Sequence, residues 1–171
     1  TAKLATTLDQ LSNGRVVLGI GGGWFEREHD AFGLDFGSGF GERLDRLDEA
    51  VGLIRRLLDG ETVTHEGRFY TMRDAVCEPR PVQTRLPILI GGSGPTKTLR
   101  TTAKYADLWN AYGTSERIAA TSGILAGRLG SPPDPRMVRQ RSHRKVAPTT
   151  ARTSTPSLRE SVARPPVLGS A

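Results

Sequence analysis

Two glycine clusters are the parts of this 171-residue chain with the clearest chemical use. Gly19-Ile20-Gly21-Gly22-Gly23 closes the mostly apolar run Arg15–Ile20, and Gly91-Gly92-Ser93-Gly94 closes the run Leu86-Pro87-Ile88-Leu89-Ile90. Each stands where a buried strand would end, the position at which parallel α/β folds bind ligands. Glycine lets a ligand approach the backbone closely and supplies positive φ without a side-chain clash. The second cluster has the stronger physical case. There a strand would hand successive backbone N–H groups to a helix with Pro95 in its first turn, which makes a cradle for an anion or phosphate. Ser93 or Thr96 could add a hydroxyl donor, and Lys97 a charge, although solvation is the plainer role for a helix lysine. Both clusters are also consistent with ordinary tight turns between strand and helix. A dinucleotide fingerprint is excluded at the first cluster, because Trp24 stands at the third glycine position of G-x-G-x-x-G and no suitable helix opens there.

The remaining reactive side chains carry less. His29 lies on a polar segment and His65 in an expected hairpin, each read as solvated; Glu26 and Glu28 follow the first glycine turn and could orient ligand or backbone. Trp24 and Trp109 read as packing residues, with lining of a ring-binding cavity as the alternative. Ser12 is a turn residue, and no Ser-His-Asp order can be argued. The single cysteine, Cys77, allows no internal disulfide, and no Cys/His cluster has metal-ligand spacing. No catalytic residue is assigned.

The elements that must position the glycine clusters follow from periodicity. Leu4, Leu8 and Leu11 predict an amphipathic helix at the start, stopped by Ser12-Asn13-Gly14. Leu44, Leu47, Val51, Ile54 and Leu58 predict a helix over 42–59, with Gly60 as its stop. Residues 25–32 suit a short helix or loop, residues 62–70 a hairpin turning at Glu66-Gly67, residues 96–106 a helix, and Asp107-Leu108-Trp109-Asn110-Ala111 a third strand. Alternating helices and strands predict parallel neighbouring strands joined by right-handed crossovers.

Charge divides the chain. Residues 1–125 hold 15 basic and 16 acidic side chains, whereas residues 126–171 hold nine and two, so the sequence pI near 10.1 belongs to the tail. That tail has seven of the 11 prolines and no Phe, Trp or Tyr. It predicts a disordered segment over 126–171, and its Arg/Pro/Ser bias also suits translation in a shifted frame of a GC-rich gene. A basic nucleic-acid-binding module is the weakest function class, since aromatic stacking residues and a folded docking element are missing from the tail. No apolar run approaches the roughly 20 residues of a membrane span, and a reducing cytoplasm suits the lone thiol.

The ordered motifs Ala5–Trp24, Glu28, Ala31-Phe32-Gly33, Arg46-Leu47-Asp48-Glu49-Ala50, His65–Tyr70, Pro87–Gly92 and Ala106–Asn110 resemble the luciferase-like monooxygenase superfamily, especially its deazaflavin-dependent oxidoreductases. The resemblance covers about residues 1–125. It implies a partial (β/α)8 TIM barrel, with these strands as the fourth to sixth, and the usual acid/base and ring-contacting residues on earlier strands. It further implies coenzyme F420, with FMN as the alternative, and hydride transfer between that cofactor and a small organic substrate. By the same resemblance Ile20 and Gly21 approach the ring, and Gly91 and Gly92, with Ser93 and Gly94 beside them, hold the phosphate-bearing tail. The complete family member would be a homodimer. A non-catalytic truncated product of such an enzyme is the alternative function, because a complete barrel of this type needs roughly 250 residues.

Overall fold

The computed structural model describes residues 1–130 and 138–141. Eleven elements follow one another: α1 (Ala2–Ser12), β1 (Leu18–Ile20), α2 (Glu26–Ala31), α3 (Phe40–Leu58), β2 (Val63–Glu66), β3 (Thr71–Ala75), β4 (Ile88–Gly91), α4 (Thr98–Tyr105), β5 (Leu108–Tyr112), α5 (Ser115–Leu129) and β6 (Val138–Arg141). The sheet runs β1-β4-β5-β6 and every pairing is parallel, with Ile20 opposite Ile90 and Ile90 opposite Trp109. β2 and β3 form a separate antiparallel hairpin between α3 and β4. This is the expected α/β alternation, with one more parallel strand than the sequence announces.

Side chains alternate across the sheet, and the two faces have different fates. Ile88 and Ile90 are wholly buried against Leu44, Leu47, Val51 and Ile54 of α3, joined by Leu18 and Ile20 from β1. Trp109 and Ala111 pack with Leu99 of α4 and Leu125 of α5. All five apolar positions expected on α3 are buried, so its 3.6-residue period is a true core signal. Helices therefore cover one face. The opposite face carries Gly19, Leu89, Gly91, Leu108 and Asn110, none of them fully buried.

α1 departs from expectation. Its spacing is helical, but Ala2, Ala5, Thr6 and Asp9 are buried while Leu4, Leu8 and Leu11 are exposed. Asp9 decides the orientation. It is fully buried, and its carboxylate accepts from Val82 N at 2.8 Å, Gln83 N at 3.1 Å and Gln83 Nε2 at 2.8 Å, with Val16 N at 3.4 Å. Burial pushes the Asp9 carboxyl up, but the Gln83, Val16 and Val82 donors outweigh it and hold the group below the ordinary carboxylate range. A buried carboxylate with such partners must face the sheet, and the leucines then face outward.

At the amino-terminal edge of the sheet, Arg55 of α3 donates to Leu86 O at 3.2 Å and pairs with Asp107, which also accepts from Ile88 N at 2.9 Å and Arg85 Nε at 2.6 Å. This network ties α3 to the starts of β4 and β5, the end of such folds that serves stability. Burial raises the Asp107 pKa, while the Arg85 bond, the Ile88 N–H and the Arg55 charge lower it further, for a net shift downward.

Two boundaries are corrected. The hairpin turns over residues 67–70, not at Glu66-Gly67, because Glu49 of α3 accepts from Phe69 N at 3.2 Å and Tyr70 N at 2.9 Å and holds those residues out of the strand. The division expected near residue 125 falls inside α5, which Leu125 anchors in the core and which runs to Leu129, with left-handed Gly130 closing it. Val138–Arg141 then pairs with β5, so the expected disorder does not begin at 126. The remainder of the tail, and the frame-shift reading with it, lies outside the described residues. No described helix is long and apolar enough to cross a membrane.

Candidate cofactor site at the carboxyl edge of the sheet

Parallel pairing brings the ends of β1, β4 and β5 to one edge, so both glycine clusters and the Asn110–Gly113 segment emerge together. A methyl group built on Gly19 or Gly91 would meet no atom within 4 Å, and on Gly21 only Gly91 O at 3.7 Å. The sheet face opposite the helices is thus bare backbone at Gly19, Gly21 and Gly91, with Leu89 the side chain beside Gly19, and the open end leaves room for a flat ring system. Among the described residues nothing requires glycine there on grounds of space.

The second cluster is glycine for a different reason. Gly92 has φ 119°, and a Cβ on Gly94 would stand 2.9 Å from Thr98 Oγ1. Gly92 is gripped from two sides: its N–H donates to Asn110 O at 2.9 Å, and its carbonyl accepts from Trp109 Nε1 at 2.7 Å. Leu99 N donates to Gly94 O at 3.0 Å, which closes the turn onto α4. No side chain caps the start of α4, and among the described residues the Ser93 and Gly94 N–H groups have no acceptor. An uncapped helix start preceded by free N–H donors favours an anion.

Charges around this turn are arranged differently from expectation. Lys97 is partly exposed and committed to α3: its Nζ donates to Asp45 Oδ1 at 2.6 Å, Asp45 Oδ2 at 2.7 Å and Gly41 O at 3.0 Å. The Lys97 bond holds the Asp45 carboxyl below its usual value despite opposing burial. Arg128 supplies a cation instead, donating to Pro95 O at 3.0 Å from the last turn of α5. Its position within the segment expected to be disordered hid it.

The first cluster is held by Arg43 of α3, which sequence reasoning passed over. Its Nε donates to Gly23 O at 3.2 Å, its Nη1 donates to Phe36 O at 3.1 Å, and its guanidinium lies 3.5 Å from the Phe36 ring centroid. His29 is not simply solvated, since its Nδ1 lies 3.0 Å from Phe25 O and its ring meets Phe36 edge-on. His65 lies 3.1 Å from Glu49 and belongs to the hairpin anchor. Trp24 is 82% exposed and stacks on Phe25, so it is no core residue, whereas Trp109 is wholly buried as expected. Glu26 and Glu28 are exposed on α2.

Ile20 and Gly21 line a cavity of about 210 Å³ together with Gly22, Gly23, Arg43 and Arg46. A larger cavity, about 510 Å³, lies on the helix side among Asp48, Glu49, His65, Arg68, Arg100 and Tyr105. It touches neither glycine turn, and its acids are already paired with Thr101, His65 and hairpin amides. The carboxyl edge is the better site, because its donors are free. Among the described residues no group of His, Cys, Asp and Glu could hold a metal ion.

Comparison with known proteins identifies the family. Residues 1–126 match the sequence model of the luciferase-like monooxygenase family. The chain is 43% identical over 97 residues to an F420-dependent glucose-6-phosphate dehydrogenase of Microbacterium testaceum, covering 57% of this chain and 28% of that protein. It is 31% identical over 129 residues to the pyrimidine monooxygenase RutA of Serratia proteamaculans, covering 75% of this chain and 35% of that one. In fold it is similar to the coenzyme F420-dependent tetrahydromethanopterin reductase of Methanopyrus kandleri, with TM-score 0.66, 22% identity, and coverage of 82% of this chain and 44% of that one. The chain thus spans about a third of the curated relatives it matches.

Proposed function

Because the chain belongs to the luciferase-like monooxygenase family, we propose that its bare sheet face and carboxyl-edge turns hold coenzyme F420, with FMN as the alternative, for oxidoreduction of a small organic substrate. One observation carries this reading: Gly19, Gly21 and Gly91 leave the face open while nothing among the described residues needs them small. The names of relatives support the choice of cofactor, since an F420-dependent dehydrogenase is among them.

The fit is chemical as well as spatial. The backbone of Ile20 and Gly21 would meet the ring end, and Gly91, Gly92, Ser93 and Gly94 the phosphate-bearing tail. The Ser93 and Gly94 N–H groups and the start of α4 offer donors to an anion. Arg128 adds positive charge to the same turn. When bound, the cofactor supplies the two-electron chemistry, a hydride exchanged with the substrate. The protein's part is orientation: Arg43 fixes the turn after β1, Asn110 and Trp109 fix the turn after β4, and the sheet fixes the spacing between them.

One experiment tests this reading. The purified chain is mixed with F420 or FMN, desalted and measured by absorbance, then assayed for cofactor oxidation or reduction with candidate alcohols, aldehydes and sugar phosphates. Near-stoichiometric retention supports the site, and turnover supports the oxidoreductase reading. Loss of both cofactors on desalting, with no binding by titration, overturns the proposal.

A further inference from the structure

We propose that Trp109 is a positioning residue whose indole N–H, by fixing the Gly92 carbonyl, aims the Ser93 N–H at the cofactor's phosphate. The inference rests on the reading that the phosphate sits in the turn between β4 and α4. Trp109 is wholly buried between sheet and helices, so its ring has little freedom, and its Nε1 lies 2.7 Å from Gly92 O. The Gly92 carbonyl and the Ser93 N–H belong to one trans planar peptide and point in opposite directions. A carbonyl drawn toward the buried indole therefore turns the next N–H away from the core, toward the open edge.

The other contacts to this turn leave that peptide plane free. The Gly92 N–H is fixed by Asn110 O, which sets the preceding peptide, and the Gly94 carbonyl is fixed by Leu99 N, which sets the following part of the loop. Gly92 at φ 119° can rotate about ψ more freely than any side-chain-bearing residue. Between these two anchors, the Trp109 hydrogen bond is the contact that selects the orientation of the Gly92–Ser93 peptide. A phenylalanine there would fill most of the space but would leave the carbonyl without a donor and the Ser93 N–H free to turn aside.

The test compares ligand pairs that differ in phosphate: FMN with riboflavin, and F420 with its phosphate-free deazaflavin alcohol. Dissociation constants are measured by fluorescence titration for the full chain and for Trp109→Phe. As a second variant, benzothienylalanine is placed at position 109 by nonsense suppression, which keeps the ring shape and removes only the N–H. In the unsubstituted chain the phosphate-bearing member binds more tightly. Both variants are expected to lose that preference by about tenfold, with affinity for the phosphate-free member unchanged. Retained preference in the benzothienyl variant overturns the role of Trp109, and so does an equal loss for both members of a pair, which would mark a purely structural residue. Absence of any phosphate preference in the unsubstituted chain instead overturns the underlying placement of the phosphate, and this inference falls with it.

Discussion

Gly91 offers a substitution that separates folding from function. Its φ is not positive, its position is the last of β4, and an added Cβ meets nothing within 4 Å. Within the protein alone, Gly91→Ala removes unfolded-chain freedom without a clash, which stabilises by about 0.4–1 kcal/mol. The melting temperature should therefore stay level or rise by a few degrees. A cofactor tail seated on the glycine at van der Waals distance would be displaced by roughly the length of one carbon–carbon bond, about 1.5 Å, which forfeits most of the local dispersion contact. Affinity for F420 or FMN should fall at least tenfold, equivalent to about 1.4 kcal/mol, and Gly91→Val should abolish measurable binding. Thermal unfolding and fluorescence titration on the same samples give both quantities. If Gly91→Val melts like the parent chain and binds cofactor unchanged, the cofactor does not rest on this glycine and its open backbone has no part in binding.

Three further outcomes follow from the packing. Asp9→Asn replaces an acceptor of four N–H groups with a side chain that is itself half donor, so at least one buried hydrogen bond is lost and stability should fall by about 2–3 kcal/mol in denaturant unfolding; a loss under 0.5 kcal/mol would contradict the role assigned to Asp9 in orienting α1. Asp9 and Asp107 have folded pKa values below their unfolded ones, so their contribution is full above about pH 4 and disappears as pH falls through the folded values. Stability measured from pH 6 to pH 2 should decline at the acid end, and a flat profile would contradict the network. Glu49→Gln should speed hydrogen exchange at the Phe69 and Tyr70 amides while leaving those of β4 and β5 protected; unchanged exchange at 69 and 70 would show that the hairpin does not depend on Glu49.

Periodicity made most of the frame legible. The α3 stripe from Leu44 to Leu58, the apolar runs of β1 and β4 and the glycine stops after them all appear where local pattern places them. α1 was readable as a helix but not in its facing, because hydrophobic spacing cannot register that Asp9 has four partners brought from residues 16, 82 and 83. β6 was hidden in a polar, proline-flanked segment, since its pairing depends on the neighbouring Trp109–Tyr112 strand and not on its own composition. At the site, the glycines were visible as residues, while their supports were not. Arg43, Asn110 and Arg128 act through contacts at separations that no local motif encodes, and Lys97 was diverted by Asp45 from across the α3–α4 packing.

The central claim, that a phosphate-bearing ring cofactor lies across β1 and β4 with its tail on the turn into α4, is tested most directly by amide chemical shifts of the labelled full chain during titration with F420 and with FMN. The largest changes should fall on Gly19, Gly21, Gly91, Ser93 and Gly94, with Ser93 and Gly94 moving only for ligands that carry phosphate. Changes confined to the helix-side cavity, at Asp48, His65 and Arg100, or no saturable change at the glycine turns, would contradict it.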